Sequence, residues 1–343
     1  MGNLNRFEIP QYTDNQGLLE KIAQHNQKVA KTGKEKMIFY SAFIDLNSVI
    51  ELPNKQKLCN SCNFRCPGCF KLTDEIENTD YLEFSEIKKI IDFAKQRKCV
   101  SITIAGAGEP LMDKAFPKLL AYANKKGLTV NLFTNGTLID KKTAKKLFKS
   151  KTNVIVKRNT MNETKQDYLV GNIKGASKKI QEGINNLLEA GFSTPRLVID
   201  SYISKQNKED LADLLRYCRK NKITPYFEAF VTAGQEKTRY KNKVLSQKEF
   251  NTLFKELRKI DAEEFQIKTK IEKNQRAYGQ HPCTKNQTMF SVRTNGSVTL
   301  CVSNPDTIGN IREQTLQDIF NPNKNNKLKK AYSVACKCSM KIT

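Results

Sequence analysis

The chain has 343 residues, which is enough for one large α/β domain and a smaller appendage. It has no run of about 18 apolar residues and no apolar signal core at its start, so we expect a cytoplasmic protein without a membrane span. Lys and Arg number 59 against 35 Asp and Glu, a formal net charge of +24. The charge is spread along the whole chain, so a nucleic-acid partner is allowed but not favoured.

Helices and strands alternate along most of the chain. An amphipathic helix is predicted first, over Gln16–Thr32, followed by an apolar stretch at 37–44. Strands are then predicted at 100–104, 129–133, 154–156, 197–203 and 225–231. Helices are predicted between them and after them, at 84–98, 114–126, 141–149, 177–190, 209–221 and 246–260.

This alternation is typical of βαβ units with a parallel sheet. Five to six units are fewer than the eight of a TIM barrel, so the pattern predicts an α/β fold with a partial (β/α)6 TIM-like barrel and a small C-terminal β-hairpin and cysteine module. We expect three segments: an N-terminal extension at 1–50, a core at 51–232, and a linker helix with the cysteine module at 233–343.

Cysteines are grouped, and in an unexported chain such groups more often bind metal than form disulfides. Cys62, Cys66 and Cys69 are separated by three and then two residues. Three thiolates on one loop can hold three irons of a [4Fe–4S] cluster and leave the fourth iron open. The alternative is zinc with Cys59 as fourth ligand, but the two cysteine pairs lie far closer than the roughly fifteen to twenty residues usual in zinc ribbons. Cys59 therefore has no assigned role.

The segment that holds these three cysteines resembles the cluster loop of the radical S-adenosylmethionine (SAM) superfamily. A second segment, at the end of the strand predicted at 100–104, is similar to the glycine-glycine-glutamate-proline motif that binds the methionine end of SAM in that family. It consists of Gly106, Ala107, Gly108, Glu109 and Pro110. Glycines let the backbone approach a ligand closely, and the Glu109 carboxylate can pair with the SAM ammonium group. Ala107 departs from the family pattern, where a first glycine is usual.

The adenine contact departs more strongly from the family. The family usually has an aromatic residue just before the last cluster cysteine, and this chain has Gly68 there. Phe70 or Phe64 can take over that contact. By position in the family, Lys157 or Asn159 is the polar residue that touches SAM, although either can also be a solvated strand end.

Three residues at the ends of later strands are candidates for catalysis or substrate contact. They are Asp200, Ser201 and Glu228, and in barrel-like folds the chemistry lies at such strand ends. Glu228 is flanked by apolar residues, so a salt-bridged core residue is an equal alternative for it.

The end of the chain carries a second set of cysteines. The spacing of Cys283, Gly296 and Cys301 is similar to the opening of the SPASM and twitch modules, and an Asn-Gly pair predicts a hairpin there. With Cys336 and Cys338 the set has four thiolates, enough for one auxiliary [4Fe–4S] cluster. We expect all four to bind it, rather than three with an open iron; a four-cysteine zinc site is the alternative.

The resemblance implies a radical SAM enzyme of the oxidoreductase or epimerase type. Such enzymes cleave SAM reductively to methionine and a 5′-deoxyadenosyl radical, which abstracts hydrogen from a substrate. We expect a peptide or small polar metabolite as substrate, undergoing oxidation, epimerisation or cross-link formation, and a one-electron donor such as flavodoxin or ferredoxin. The competing hypothesis is a non-catalytic Fe–S or zinc protein that binds RNA through its lysines. Such a protein would interleave basic and aromatic residues, which this sequence does not, and Trp is absent.

Overall fold

The structure is a computed structural model that describes residues 16–46, 50–51, 57–58, 62–69, 80–229, 243–269, 277–278, 284–302 and 306–333. Five residues named above therefore lie outside the described residues: Cys59, Phe70, Cys283, Cys336 and Cys338. Most of the predicted linker before the helix at 246–260 lies outside them as well. Within the described part of the chain, no helix is both long enough and apolar enough to cross a membrane.

Eleven strands and eleven α-helices make up the described part of the chain. The strands are β1 Ser41–Leu46, β2 Ile50–Glu51, β3 Lys57–Leu58, β4 Ser101–Gly106, β5 Thr129–Thr134, β6 Asn153–Lys157, β7 Leu197–Ile203, β8 Thr224–Ala229, β9 Met289–Val292, β10 Ser297–Thr299 and β11 Gly309–Asn310. The helices are α1 Gln16–Thr32, α2 Phe84–Gln96, α3 Phe116–Lys125, α4 Lys141–Lys149, α5 Glu163–Leu169, α6 Ala176–Glu189, α7 Leu211–Lys220, α8 Gln247–Phe265, α9 Lys285–Thr288, α10 Leu316–Ile319 and α11 Asn326–Ser333. Two 3₁₀ turns, Pro110–Met112 and Lys208–Asp210, complete the list.

One sheet of nine strands organises the fold, in the order β11-β10-β9-β1-β4-β5-β6-β7-β8. Six of its strands, β1 and β4 to β8, are neighbours in parallel register, which confirms the predicted partial (β/α)6 arrangement. The sheet stays open between its two edge strands rather than closing into a barrel. The first of the six strands is β1, so the predicted extension at 1–50 contributes a central strand to the sheet.

The strands are buried on both faces, as expected for a parallel sheet. In β7 all seven residues are buried, and alternate side chains point to opposite faces. Leu197 and Ile199 pack into the main core beneath the helices, whereas Val198 packs with Ile155 and Tyr226 on the other face. That second face is the concave interior of the open barrel.

Most helix predictions are confirmed to within a few residues, and the differences arise at the ends. The predicted helix at 246–260 begins as expected, because Ser246 and Glu249 form a capping box with each other. It continues to Phe265, one turn further than predicted, and ends at Gln266 in a left-handed conformation with φ 54°. Helix α5 was not predicted, and Asn162 caps its start by accepting a hydrogen bond from the Lys165 backbone N–H.

The C-terminal hairpin extends the main sheet. Strands β9 and β10 pair antiparallel as predicted, and β9 also pairs in parallel with β1. Four aromatic rings fasten the same region to the core: Phe39, Phe93, Phe290 and Phe320. The Phe320 ring centroid lies 4.9, 5.4 and 5.2 Å from those of the other three, in that order. The module is therefore packed onto the barrel rather than tethered to it.

Phe320→Ala tests how strongly this aromatic cluster holds the module. Phe320 is 1% exposed, so truncation leaves a cavity between three rings. We expect the free energy of unfolding to fall by about 3–5 kcal/mol, measured by urea denaturation followed by circular dichroism. Tyr168→Ala is the control, because Tyr168 is 46% exposed and its loss should change the free energy by no more than about 0.5 kcal/mol. Equal effects of the two substitutions would contradict the role given to Phe320.

Candidate functional site

The parallel strands end at a common edge of the sheet, and the loops beyond that edge carry the predicted site residues. The cysteine loop lies between β3 and α2, the glycine-rich loop follows β4, and Lys157 ends β6. Asp200 lies in β7 and Glu228 in β8, near the same edge. Parallel register therefore brings together residues that lie more than 150 positions apart in the chain.

Two neighbouring turns hold the cysteine loop at residues 62–69. The Arg65 backbone N–H donates to the Val170 carbonyl oxygen at 3.0 Å. The approach is so close that a Cβ on Gly171, which has φ 107°, would lie 2.6 Å from the Arg65 carbonyl oxygen. On the other side, Asn63 Nδ2 donates to Thr137 Oγ1 at 2.7 Å. The loop thus rests against the turns after β5 and after α5.

The three cysteine thiols lie half-buried on this loop. The Cys69 N–H donates to the Cys66 carbonyl at 3.1 Å, and the Phe64 N–H donates to Cys62 Sγ at 3.4 Å. Burial raises the pKa of Cys62 to about 11, against the opposing effect of the Phe64 N–H. Burial also raises the pKa of Cys66, and the charges of Cys69 and Cys62 raise it further. Burial therefore favours the neutral thiol form of Cys62 and Cys66.

By its donor chemistry, this loop fits an iron–sulfur cluster. Soft sulfur ligands suit such clusters, and a bound metal centre supplies the positive charge that keeps buried thiolates deprotonated. Among the described residues, no three His, Cys, Asp or Glu side chains are gathered as ligands of one metal ion. Phe64 is 5% exposed and packs in the main core, so little of its ring surface is open to an adenine.

The glycine-rich loop after β4 folds tightly back on itself. A Cβ on Gly106 would lie 2.1 Å from the Gly108 carbonyl oxygen, so only glycine fits there. The Ala107 N–H donates to the carbonyl of Leu46 at the end of β1, at 3.2 Å. Pro110 then opens a 3₁₀ turn. The result is a tight backbone turn against the end of β1, with the close backbone approach that a ligand site requires.

Glu109 ties this loop to the next strand. Its carboxylate accepts hydrogen bonds from Thr134 Oγ1 at 2.7 Å, the Asn135 N–H at 2.8 Å and the Leu111 N–H at 3.1 Å. The side chain is 2% exposed, and this burial raises the pKa of Glu109 while the three donors oppose the rise. Glu109 is thus a buried structural anchor of the loop as well as a candidate SAM contact.

Asn135 is a site residue that the sequence analysis missed. Its side-chain amide donates to Asn63 Oδ1 at 2.7 Å, so it joins the end of β5 to the cysteine loop. The available signal was the segment Thr134-Asn135-Gly136 directly after a buried strand, because Asn-Gly is a strong turn signal. Turn chemistry alone, however, does not indicate which loop the amide faces.

Lys157 and Asp200 form an ion pair on the concave face, with Lys157 Nζ 2.7 Å from Asp200 Oδ2. The Asp200 side chain is 2% exposed and that of Lys157 is 41% exposed, so the lysine faces the open interior. Burial lowers the pKa of Lys157, but the Asp200 and Glu228 carboxylates outweigh it and raise the value. Burial raises the pKa of Asp200 to about 6. The Lys157 ammonium group opposes this rise, and the Glu228 carboxylate adds to it.

Glu228 stands at the end of the neighbouring strand and completes this charged group. Tyr226 Oη donates to Glu228 Oε2 at 2.8 Å, and the Glu228 side chain is half-buried. Lys157 Nζ also lies 5.9 Å from the centroid of the Tyr202 ring. Lys157 therefore lies with two carboxylates and two phenol rings on this face, and the charges of Cys66 and Lys285 act on Lys157 and Asp200, respectively.

The structure places two predicted site residues apart from this group. Ser201 is fully buried on the opposite face of β7, where its hydroxyl donates to the Tyr202 carbonyl and accepts from Asn207 Nδ2. Asn159 lies just beyond β6 and is 3% exposed, and its Oδ1 has no hydrogen-bond partner among the described residues. An unpartnered buried acceptor fits a ligand that brings a donor, such as a hydroxyl or an amine of SAM.

Of the C-terminal cysteines, only Cys301 lies in the described part of the chain. It is 4% exposed, and its carbonyl accepts a hydrogen bond from Thr299 Oγ1 at 2.9 Å. Cys301 follows β10, so the hairpin holds one thiol of the second set against the main sheet. The ligand set with Cys283, Cys336 and Cys338 stays a prediction.

Two family models match the chain, and each of them contains one of the two sets of cysteines. Residues 57–218 match the Radical SAM superfamily, and residues 283–339 match the SPASM iron-sulfur cluster-binding domain. The chain thus contains a region that matches a radical SAM domain, followed by a C-terminal region that matches a SPASM domain. These two domains imply [4Fe–4S] clusters, and neither match supports the RNA-binding alternative.

Individual relatives agree with this assignment at low identity. The Fe-coproporphyrin III synthase of Methanosarcina barkeri is 32% identical over 163 residues, 47% of this chain and 39% of the synthase. The PqqA peptide cyclase of Granulibacter bethesdensis is 26% identical over 159 residues, 46% of this chain and 41% of the cyclase. The chain thus spans about two fifths of these relatives. A crystal structure of Streptococcus suis SuiB bound to the precursor peptide SuiA matches with a TM-score of 0.67 at 18% identity, covering 96% of this chain and 75% of SuiB, which shows that the fold is shared.

Glu109→Gln tests the anchor role in this radical SAM domain. The amide keeps the shape of the side chain but loses the charge and turns an acceptor into a donor opposite existing N–H groups. We expect SAM binding to weaken by about 1.5–3 kcal/mol, measured by calorimetry on the anaerobically reconstituted protein. The control is Asp113→Asn in the same loop, where the carboxylate accepts from the Ala115 N–H at 2.6 Å. SAM affinity that is unchanged in Glu109→Gln, or lowered equally in both variants, would contradict this assignment.

Proposed function

We propose that the protein cleaves SAM reductively at a [4Fe–4S] cluster bound by Cys62, Cys66 and Cys69 and abstracts a hydrogen atom from a peptide. When bound, the cluster supplies one electron to SAM, which yields methionine and a 5′-deoxyadenosyl radical. A small one-electron donor protein such as flavodoxin or ferredoxin fits this requirement, since a redox cluster needs a reductant. In this proposal, the protein's own residues hold both cofactors and the substrate at the edge of the sheet where the parallel strands end.

The observation that carries the proposal is the direct connection between the cysteine loop and the glycine-rich loop. Asn135 donates through its backbone to Glu109 at 2.8 Å and through its side chain to Asn63 at 2.7 Å. The two loops that would bind cluster and SAM are therefore fixed to one another through a single residue. The rate of a radical reaction depends on such positioning, because the radical must reach the target hydrogen of the substrate before it reacts with any other group.

The charged group on the concave face suits substrate binding beside this centre. Asp200 is ion-paired and almost fully buried, so it positions Lys157 rather than meeting a substrate. Glu228 is half-buried, which makes it the better candidate for contact with the substrate or for proton transfer. Oxidation and cross-link formation each release a proton when the substrate radical loses an electron, and a carboxylate at this position can accept that proton.

A peptide substrate is supported by two of the relatives. One is named for the PqqA peptide, and the SuiB structure contains a precursor peptide. The synthase is named for a coproporphyrin, so a small polar metabolite remains the second candidate. The amides and carbonyls of a peptide backbone match the mixture of lysine, carboxylate and phenol side chains around Lys157.

Replacing Cys62, Cys66 and Cys69 together by Ala tests the proposal. After anaerobic reconstitution, we expect the variant to lose about four irons per chain and to form no 5′-deoxyadenosine from SAM and dithionite. Cys218→Ala is the matched control, because Cys218 is a buried core thiol and should keep both iron and activity. Continued cleavage of SAM by the triple variant would refute the proposed cluster site.

The same triple variant also tests the auxiliary site, because it leaves Cys283, Cys301, Cys336 and Cys338 intact. We expect iron to remain at about four per chain, with the Mössbauer signature of a [4Fe–4S] cluster ligated by four thiolates. Stoichiometric zinc without iron would instead make the C-terminal site structural and leave the enzyme with one cluster.

A further inference from the structure

Three polar side chains beside the cysteine loop form a closed ring of hydrogen bonds. Asn135 Nδ2 donates to Asn63 Oδ1 at 2.7 Å, and Asn63 Nδ2 donates to Thr137 Oγ1 at 2.7 Å. The Thr137 hydroxyl donates in turn to Asn135 Oδ1 at 2.7 Å and closes the ring. Asn63 belongs to the cysteine loop, and the other two residues belong to the turn after β5.

The ring fixes which way the Asn135 amide faces. The Thr137 backbone N–H, which can only donate, also points at Asn135 Oδ1 at 3.0 Å. The oxygen of this amide is therefore identified by its partners, and the nitrogen lies on the side of the cysteine loop. One N–H of that nitrogen meets Asn63, and the nitrogen lies 3.9 Å from Cys62 Sγ.

We infer that Asn135 tunes the reduction potential of the radical SAM cluster by directing an N–H donor at the sulfur of Cys62. This inference rests on the proposed function, in which Cys62 is a cluster ligand. Hydrogen bonds to cluster sulfurs draw electron density away from iron and favour the reduced state, which raises the reduction potential. With the Phe64 N–H at 3.4 Å, Cys62 Sγ then receives two such donors.

The position of Asn135 makes this donor well ordered. The side chain is 8% exposed, and its backbone N–H is held by the buried Glu109 carboxylate at 2.8 Å. Glu109 holds the backbone of Asn135, and Asn63 and Thr137 hold its side chain. The amide therefore has little freedom to turn away from Cys62. Asn135 acts through Cys62 and is a positioning residue.

The test is a redox titration of the full-length reconstituted protein, following by electron paramagnetic resonance the reduced cluster signal that changes when SAM is added. That response separates this cluster from any auxiliary one. In Asn135→Ala, we expect the ratio of reduced to oxidised cluster at a fixed potential to fall by about three- to tenfold, where tenfold corresponds to 59 mV for a one-electron couple. Asn135→Asp should shift further in the same direction, because it removes the donor and adds a negative charge.

Three further variants separate tuning from folding. Thr137→Val loses the hydroxyl that closes the ring and should give a smaller shift of the same sign, while Thr137→Ser keeps the hydroxyl and should restore the wild-type potential. Asn185→Asp adds the same charge at an exposed position of α6 and should leave the potential unchanged. Iron content and thermal unfolding are measured for every variant.

The outcomes are distinguishable. Lower iron content with an unchanged potential in the Asn135 variants means a purely structural role and overturns the inference. So does a shift in Asn185→Asp as large as that in Asn135→Asp. If no signal in the wild-type protein responds to SAM, the proposed function itself fails and the inference with it. The predicted order of potentials among the four site variants supports it.

Discussion

A buried carboxylate at the end of β4 sets the geometry of the whole site. An ionised Glu109 at 2% exposure is costly unless donors surround it, and the end of β5 supplies two of them while the 3₁₀ turn supplies the third. This requirement locks the glycine-rich loop to Asn135. Through Asn135, the cysteine loop is locked to the same point. The glycine-rich loop and the cysteine loop, which we propose as the cofactor-binding loops, are therefore preorganised by the need to satisfy one buried carboxylate.

The two faces of the sheet have different roles. One packs against the helices and stabilises the fold, and the other carries the charged residues that we propose for substrate binding. Leu, Ile and Phe side chains from alternate strand positions fill the layer under the helices, and the opposite face lines the open interior. At the ends of β6 to β8 that interior changes from apolar to charged, with Lys157 between two carboxylates. Asp200 is buried and holds Lys157 in an ion pair, whereas Glu228 is only half-buried. In the proposed function, a radical generated near Cys66 would meet a substrate that contacts apolar side chains of this face and the charged residues at the ends of β6 to β8.

The described part of the C-terminal module packs directly onto the sheet of the barrel. Strand β9 adds to β1 in parallel register, and Phe320 packs against rings from the segment before β1, from α2 and from β9. Arg312 adds a polar link, since its guanidinium donates to Glu86 Oε1 at 2.9 Å at the start of α2. Cys301 is consequently held at a fixed position relative to the barrel, as electron transfer from a substrate radical would require.

The sequence alone determined the parallel α/β fold, most helices and strands, both cysteine sets and the glycine-rich loop, because these depend on local periodicity, on turn residues and on spacing within a few positions. Only the tertiary structure decided that β1 is a central strand, that Ser201 faces away from the cavity while Asp200 faces into it, and that Asn135 meets the cysteine loop. Strand pairing and side-chain partners join residues far apart in the chain. A one-residue difference along β7 reverses the face, and no local pattern records which face will be covered by helices.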